Sequence, residues 1–138
     1  MAGAVLKMQC VGRTGVRTRE LLVDNLVIAG WTGRDRKAME AHIEELAKLG
    51  VPRPATTPIF YRVGASLLTT STAIEVSGTA TSGEVEPVIF ALGDGMWVGL
   101  GSDHTDRKAE TAGITIAKQL CPDRKSTRLN SSHVKRSR

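Results

Sequence analysis

Three carboxylates and one histidine are the residues through which this chain could do chemistry. Glu84 and Glu86 fall in a segment that reads as a β-strand. Successive strand side chains alternate faces, so both glutamates point the same way, about 7 Å apart. Asp103 sits in Gly101-Ser-Asp-His-Thr-Asp-Arg107, at the far end of the adjoining strand. Three converging carboxylates suit a hard divalent cation, because Mg2+ and Mn2+ prefer oxygen ligands and keep positions for water and substrate. The same spacing also describes the wet outer face of a half-buried sheet. His104 raises the question of zinc, but no second His or Cys stands near it at a ligand spacing. His42 and Glu45 lie three residues apart on one helix face, where a Glu can orient and charge-stabilise a His. The plainer reading of that pair is the solvated side of an amphipathic helix.

Other reactive-looking positions read as structural. Ser102 lacks the Gly-x-Ser-x-Gly setting of a hydrolase nucleophile, and Gly99-Leu-Gly101 is too sparse for a phosphate loop. Trp31 and Trp97 read as core or interface aromatics, and Met39 as core packing.

The elements that must position these residues are strands around one clear helix. Ala4 to Cys10 and Leu21 to Ala29 are strand candidates, with Gly12-Arg-Thr-Gly15 as a turn between them. Asp35 to Leu49 places Met39, Ile43 and Leu46 at helical spacing, with Thr32 or Asp35 as N-cap and Gly50 at the stop. Val51-Pro-Arg-Pro54 and Pro58 force extended backbone into a strand at Ile59 to Val63. Ala73 to Val76, Glu84 to Leu92 and Met96 to Leu100 read as further strands. Gly93-Asp94-Gly95 forms a hairpin turn between the last two, because Asp-Gly tolerates positive φ. Lys108 to Leu120 lacks clean periodicity and reads as helix or strand. A run of strands with a single early helix predicts an α+β fold.

The chain has 138 residues and a formal net charge of +5. That charge sits in residues 123 to 138. There Arg124, Lys125, Arg128, Lys135, Arg136 and Arg138 face the single acid Asp123, so the rest of the chain is balanced. Asp123 to His133 also matches, codon for codon, the translation of a common sequencing-library adapter. The expectation is therefore a domain truncated near Pro122, with residues 123–138 an artefactual, disordered tail excluded from fold reasoning. Without the tail, no basic face is left to bind nucleic acid. The apolar runs are too short for a membrane span. Two cysteines make no disulfide framework and no signal segment follows Met1, so a cytoplasmic setting is expected.

Read in order, Val27-Ile-Ala-Gly30, His42-x-x-Glu45, Pro58-Ile-Phe-Tyr-Arg62, Glu84-Val-Glu86 and Asp103-His-Thr-Asp-Arg107 resemble the fumarylacetoacetate hydrolase superfamily. More closely, residues 20 to 122 resemble a bacterial branch of it known as a domain of unknown function. The resemblance implies a mixed β-sheet roll, fumarylacetoacetase C-terminal-like, of which residues 1–122 form the N-terminal portion. It implies Mg2+ or Mn2+ held by Glu84, Glu86 and Asp103, and an acid/base pair of His42 and Glu45 on a lid. It also places Arg62, where the family often has Lys, and Arg107 against the substrate. Arg cannot deprotonate as Lys can, so a proton-transfer role for that position is in doubt.

The activity implied is hydrolysis or decarboxylation of a β-dicarbonyl or 2-oxo acid. Carbon–carbon cleavage would pass through an enolate that the ion stabilises. A homodimer is implied for the full-length protein, with no nucleic-acid or membrane partner. The alternatives are an inactive truncated fragment, or a non-catalytic module that binds a metal or small molecule.

Overall fold

The computed structural model describes residues 3–131. Nine strands and two α-helices occur among them, in the order β1 (Ala4–Gly12), β2 (Gly15–Val23), β3 (Leu26–Gly30), α1 (Arg36–Lys48), β4 (Ile59–Val63), β5 (Leu68–Thr69), β6 (Thr81–Leu92), β7 (Gly95–Asp106), α2 (Ile114–Gln119), β8 (Asp123–Lys125) and β9 (Arg128–Ser131). The fold is α+β. The main sheet is mixed and runs β2-β1-β9-β7-β8-β5, with β6 paired to β7, while β3 and β4 form a separate ribbon.

The main elements follow from local chemistry. In β1, Leu6, Met8 and Cys10 are buried with a period of two and the residues between them face out, which is the alternation of a sheet with one wet face. Asp35 caps α1 by accepting from the backbone N–H groups of Lys37 and Ala38 at 2.9 and 3.1 Å, as expected for an N-cap carboxylate. Gly50 follows the helix with a φ of +89°, the left-handed stop that glycine takes without cost. The β6–β7 hairpin keeps strict register from Thr81↔Asp106 to Leu92↔Gly95. The core joins Leu6, Met8 and Cys10 to Leu21, Leu26, Ile28, Val63, Leu68, Phe90 and Leu129.

Four expectations need correction. The single strand expected over Leu21 to Ala29 is two, because β2 ends at Val23 and β3 begins at Leu26 in another sheet. Asp24-Asn25, polar and turn-prone, makes the break. Ala73 to Val76 is not a strand; no neighbour pairs with it, so its apolar residues gain no ladder. The helix is not single: Lys108 to Leu120, open between helix and strand, holds a 3-10 turn at Ala109–Thr111 followed by α2.

The fourth concerns the expected disordered tail. Residues 123–131 form β8 and β9, and Leu129 is fully buried; residues 132–138 lie outside the described residues. β8 pairs antiparallel with β7 and β9 pairs with both β1 and β7, so these segments satisfy backbone groups that would otherwise be open edges. Room for them comes from Gly99 and Gly101. A Cβ at Gly99 would stand 2.6 Å from Leu129 Cδ2, and one at Gly101 would stand 2.8 Å from Lys125 Cδ. Pairing through backbone depends little on side-chain identity, which is why polarity alone did not reveal it. Among the described residues, no helix is long and apolar enough to cross a membrane.

Candidate functional site

Glu84 and Glu86 lie on the inner face of β6, the face that buries Phe90 farther along. Asp103 is the cross-strand partner of Glu84, and directly paired residues share a face. The three carboxylates expected from sequence therefore stand on one side of the sheet, with Asp103 diagonal to Glu86 at a spacing of about 7–8 Å for such neighbours.

Cations already meet each of them. Arg107, just past β7, donates to Glu84 Oε1 and Glu110 Oε1, both at 2.8 Å. Burial pushes the Arg107 pKa down, but the bonds to Glu84 and Glu110 outweigh it and the net shift is upward. Lys118, projecting from α2, forms an ion pair with Asp103 Oδ2 and lies 3.3 Å from Thr105 Oγ1. Lys125 in β8 pairs with Asp123 and lies 3.8 Å from Glu86.

The balance is incomplete. Asp103 Oδ1 is buried with no hydrogen-bond partner, and both Asp123 oxygens lack one, Lys125 approaching without hydrogen-bond geometry. Burial raises the Glu86 pKa first, and repulsion from Asp103 raises it further against the opposing pull of Lys125. Asp123 is raised for the same leading reason, burial. A buried carboxylate oxygen without a donor is costly, and Glu84, Glu86 and Asp103 offer only oxygens, so their donor chemistry fits a hard divalent cation. Among the described residues no three His, Cys, Asp or Glu side chains stand close enough to enclose one. Glu84 and Asp103 are instead paired with Arg107 and Lys118.

Beside this cluster is a cavity of about 180 Å3. His42 and Leu46 reach it from α1, Trp31 from the end of β3, Tyr61 from β4, and Glu84, Arg107 and Lys118 from the opposite wall. His42 Nδ1 lies 3.6 Å from Glu45 Oε2, and both side chains are largely exposed. Glu45 itself does not line the cavity. Burial raises the Tyr61 hydroxyl pKa, only partly offset by Trp31. A larger cavity, about 470 Å3, lies against Arg17, Arg19 and Trp97 at the hairpin tips and contains none of the candidate catalytic, substrate-binding or metal residues.

The sequence-derived set is thus divided. His42, Glu84 and Arg107 share one cavity, with Asp103 behind Lys118 and Glu86 beside it. Arg62 does not join them: it is exposed on β4, whereas its neighbours Ile59, Tyr61 and Val63 form the inward face. The two-residue period of Ile59, Tyr61 and Val63 carried that signal, because an apolar alternation sends the residue between outward. Lys118 was missed. It lies in an aperiodic stretch, and a lysine is rarely buried unless paired, so nothing local marks it. Trp31 is half-buried at the cavity rather than in the core.

Neither a curated protein nor a solved structure matches the chain. The family described as Protein of unknown function (DUF2848) matches residues 29–133, from the last residues of β3 through the whole cavity and past β9. With most of its length matched, including every residue that lines the cavity, the chain belongs to the DUF2848 family.

Proposed function

We propose that this chain belongs to a divalent-metal-dependent hydrolase or decarboxylase for a β-dicarbonyl or 2-oxo acid, built on a fumarylacetoacetase-like roll. The observation that carries the reading is the row of Glu84, Glu86 and Asp103 on one sheet face, with an unpartnered Asp103 oxygen, beside a cavity that also holds His42 and Arg107. Glu84, Glu86 and Asp103 would hold Mg2+ or Mn2+, which when bound supplies Lewis-acid polarisation of a carbonyl oxygen.

The chain's own groups account for the rest. Arg107 has five N–H donors and its bonds to Glu84 and Glu110 use two nitrogens, so donors remain to orient a substrate carboxylate. Glu45 stands 3.6 Å from one nitrogen of His42, and the imidazole at the cavity would take a proton from water or return one to carbon. Trp31, Leu46 and Ile114 exclude water from the apolar side. Lys118 holds Asp103 in place until a stronger cation competes for it.

A non-catalytic small-molecule module is the second reading. It is favoured by the ion pairs Lys118–Asp103 and Arg107–Glu84, which already occupy the carboxylates. A panel of 2-oxo and acylpyruvate acids, assayed with Mn2+, separates the two. Turnover that falls at least about 100-fold in His42→Ala, within the usual range for an acid/base group, supports the enzyme. Equal rates in the two proteins remove His42 from the mechanism.

A further inference from the structure

Trp31 is the only described non-glycine residue with a positive φ, at +56°. That region is unfavourable for any L-residue and a true outlier for a bulky one. Such conformations persist where surrounding structure over-determines them, and they cluster at ligand sites.

Gly30, just before it, packs against Tyr61, where a Cβ would come within 2.9 Å of Tyr61 Cε2. Trp31 follows at the start of the loop before α1 and lines the cavity. There it meets His42, with ring centroids 5.6 Å apart and planes tilted by 55°.

Trp31 also faces a second cavity of about 360 Å3, lined by Arg34, Arg36, Met39 and Pro58 among others. It is the one side chain common to both linings. Trp31 therefore borders both a small chamber, where Arg107 and Lys118 stand beside Glu84 and Glu110, and a larger, arginine-bearing space. The inner chamber holds about six waters' worth of volume at ~30 Å3 each.

We infer that Trp31 sets the size and charge of the acid this site accepts. With the indole in place the chamber takes a short 2-oxo monoacid whose carboxylate meets Arg107. Removing the indole joins the two spaces and admits a longer diacid, whose second carboxylate reaches Arg34 or Arg36. The inference rests on the cavity being the substrate site, as proposed above.

Calorimetric titration of the full chain with Mn2+ and either pyruvate or 2-oxoglutarate tests it. The wild type is expected to prefer pyruvate by about tenfold or more, the scale on which apolar pocket walls discriminate. Trp31→Phe should keep that preference, and Trp31→Gly should abolish or reverse it. Glycine adopts the required backbone freely. If Trp31→Gly fails to fold, Trp31→Asn, which also tolerates this conformation, carries the same comparison. A folded variant without the indole that keeps the wild-type preference overturns the size filter alone. Failure of the wild type to bind either acid overturns the substrate-site reading, and the filter with it.

Discussion

His42 on one wall of the cavity and its helix neighbour Glu45 have side chains 58% and 74% exposed, while Lys118 on the opposite wall and Asp103 behind it are 10% and 4% exposed. The first pair sits on α1, a helix that buries only Ile43. The second bridges α2 and the long β6–β7 hairpin, the most extensively paired element of the fold. An exposed pair contributes little, at most about 1 kcal/mol, and can separate at almost no cost. A buried pair contributes little net stability when intact but is expensive to break, because one partner is left charged in a poor solvent. The contrast assigns different duties. The hairpin wall holds its charges buried and paired, whereas the helical wall carries its pair in solvent on a helix anchored by Ile43.

Breaking the fixed wall should have the largest effect. Asp103→Ala leaves the Lys118 ammonium buried without its carboxylate, and is expected to cost about 3–5 kcal/mol in urea unfolding. A loss below about 1 kcal/mol would mean that the pair is solvated, and the distinction between the walls would fail.

The pH response sharpens the same contrast at intermediate size. The folded pKa of Glu86 lies above its ordinary value of 4.5, chiefly through burial and then through repulsion from Asp103. For an acid so raised, the stabilising contribution is complete below the unfolded value and is lost as pH climbs through the folded one. Stability should therefore fall as pH rises from about 4.5 into the range where folded Glu86 ionises, with Asp123 adding a fall of the same sign from 3.8 upward. In Glu86→Gln the fall should shrink. An unchanged pH profile in that variant would show that Glu86 is not strained by its neighbours.

At the small end, His42→Ala should change stability by no more than about 0.5 kcal/mol, as exposed substitutions do, while still affecting turnover. A loss of several kcal/mol, measured by the same urea titration, would make α1 a structural wall like the other.

How much of this was legible in sequence depended on whether the signal was local. α1 was readable because its cap, its apolar spacing and its glycine stop are all short-range features, and the turn at Gly93-Asp94-Gly95 because its chemistry sits in three residues. Glu84, Glu86 and Asp103 could be placed on one face because strand alternation and a tight hairpin fix their relation. Lys118 could not be placed, since its partner Asp103 lies in a different element and only packing brings them together. Arg62 was assigned inward by resemblance although its own strand's alternation points it outward. The strands at 123–131 escaped because their main contribution is backbone pairing and one buried leucine, set in a stretch whose charge reads as solvated tail. Trp31 was recognisable as an aromatic anchor, but neither its positive φ nor its place at the cavity has a local signal in the sequence.

Whether Glu84, Glu86 and Asp103 take up a divalent cation, as proposed above, is tested most directly by Mn2+ titration followed by electron paramagnetic resonance. One tightly held Mn2+ per chain, with six oxygen or water ligands and binding abolished in Glu84→Ala and in Glu86→Gln, is the expected result. Absence of specific Mn2+ binding, or binding that survives both substitutions, would contradict it.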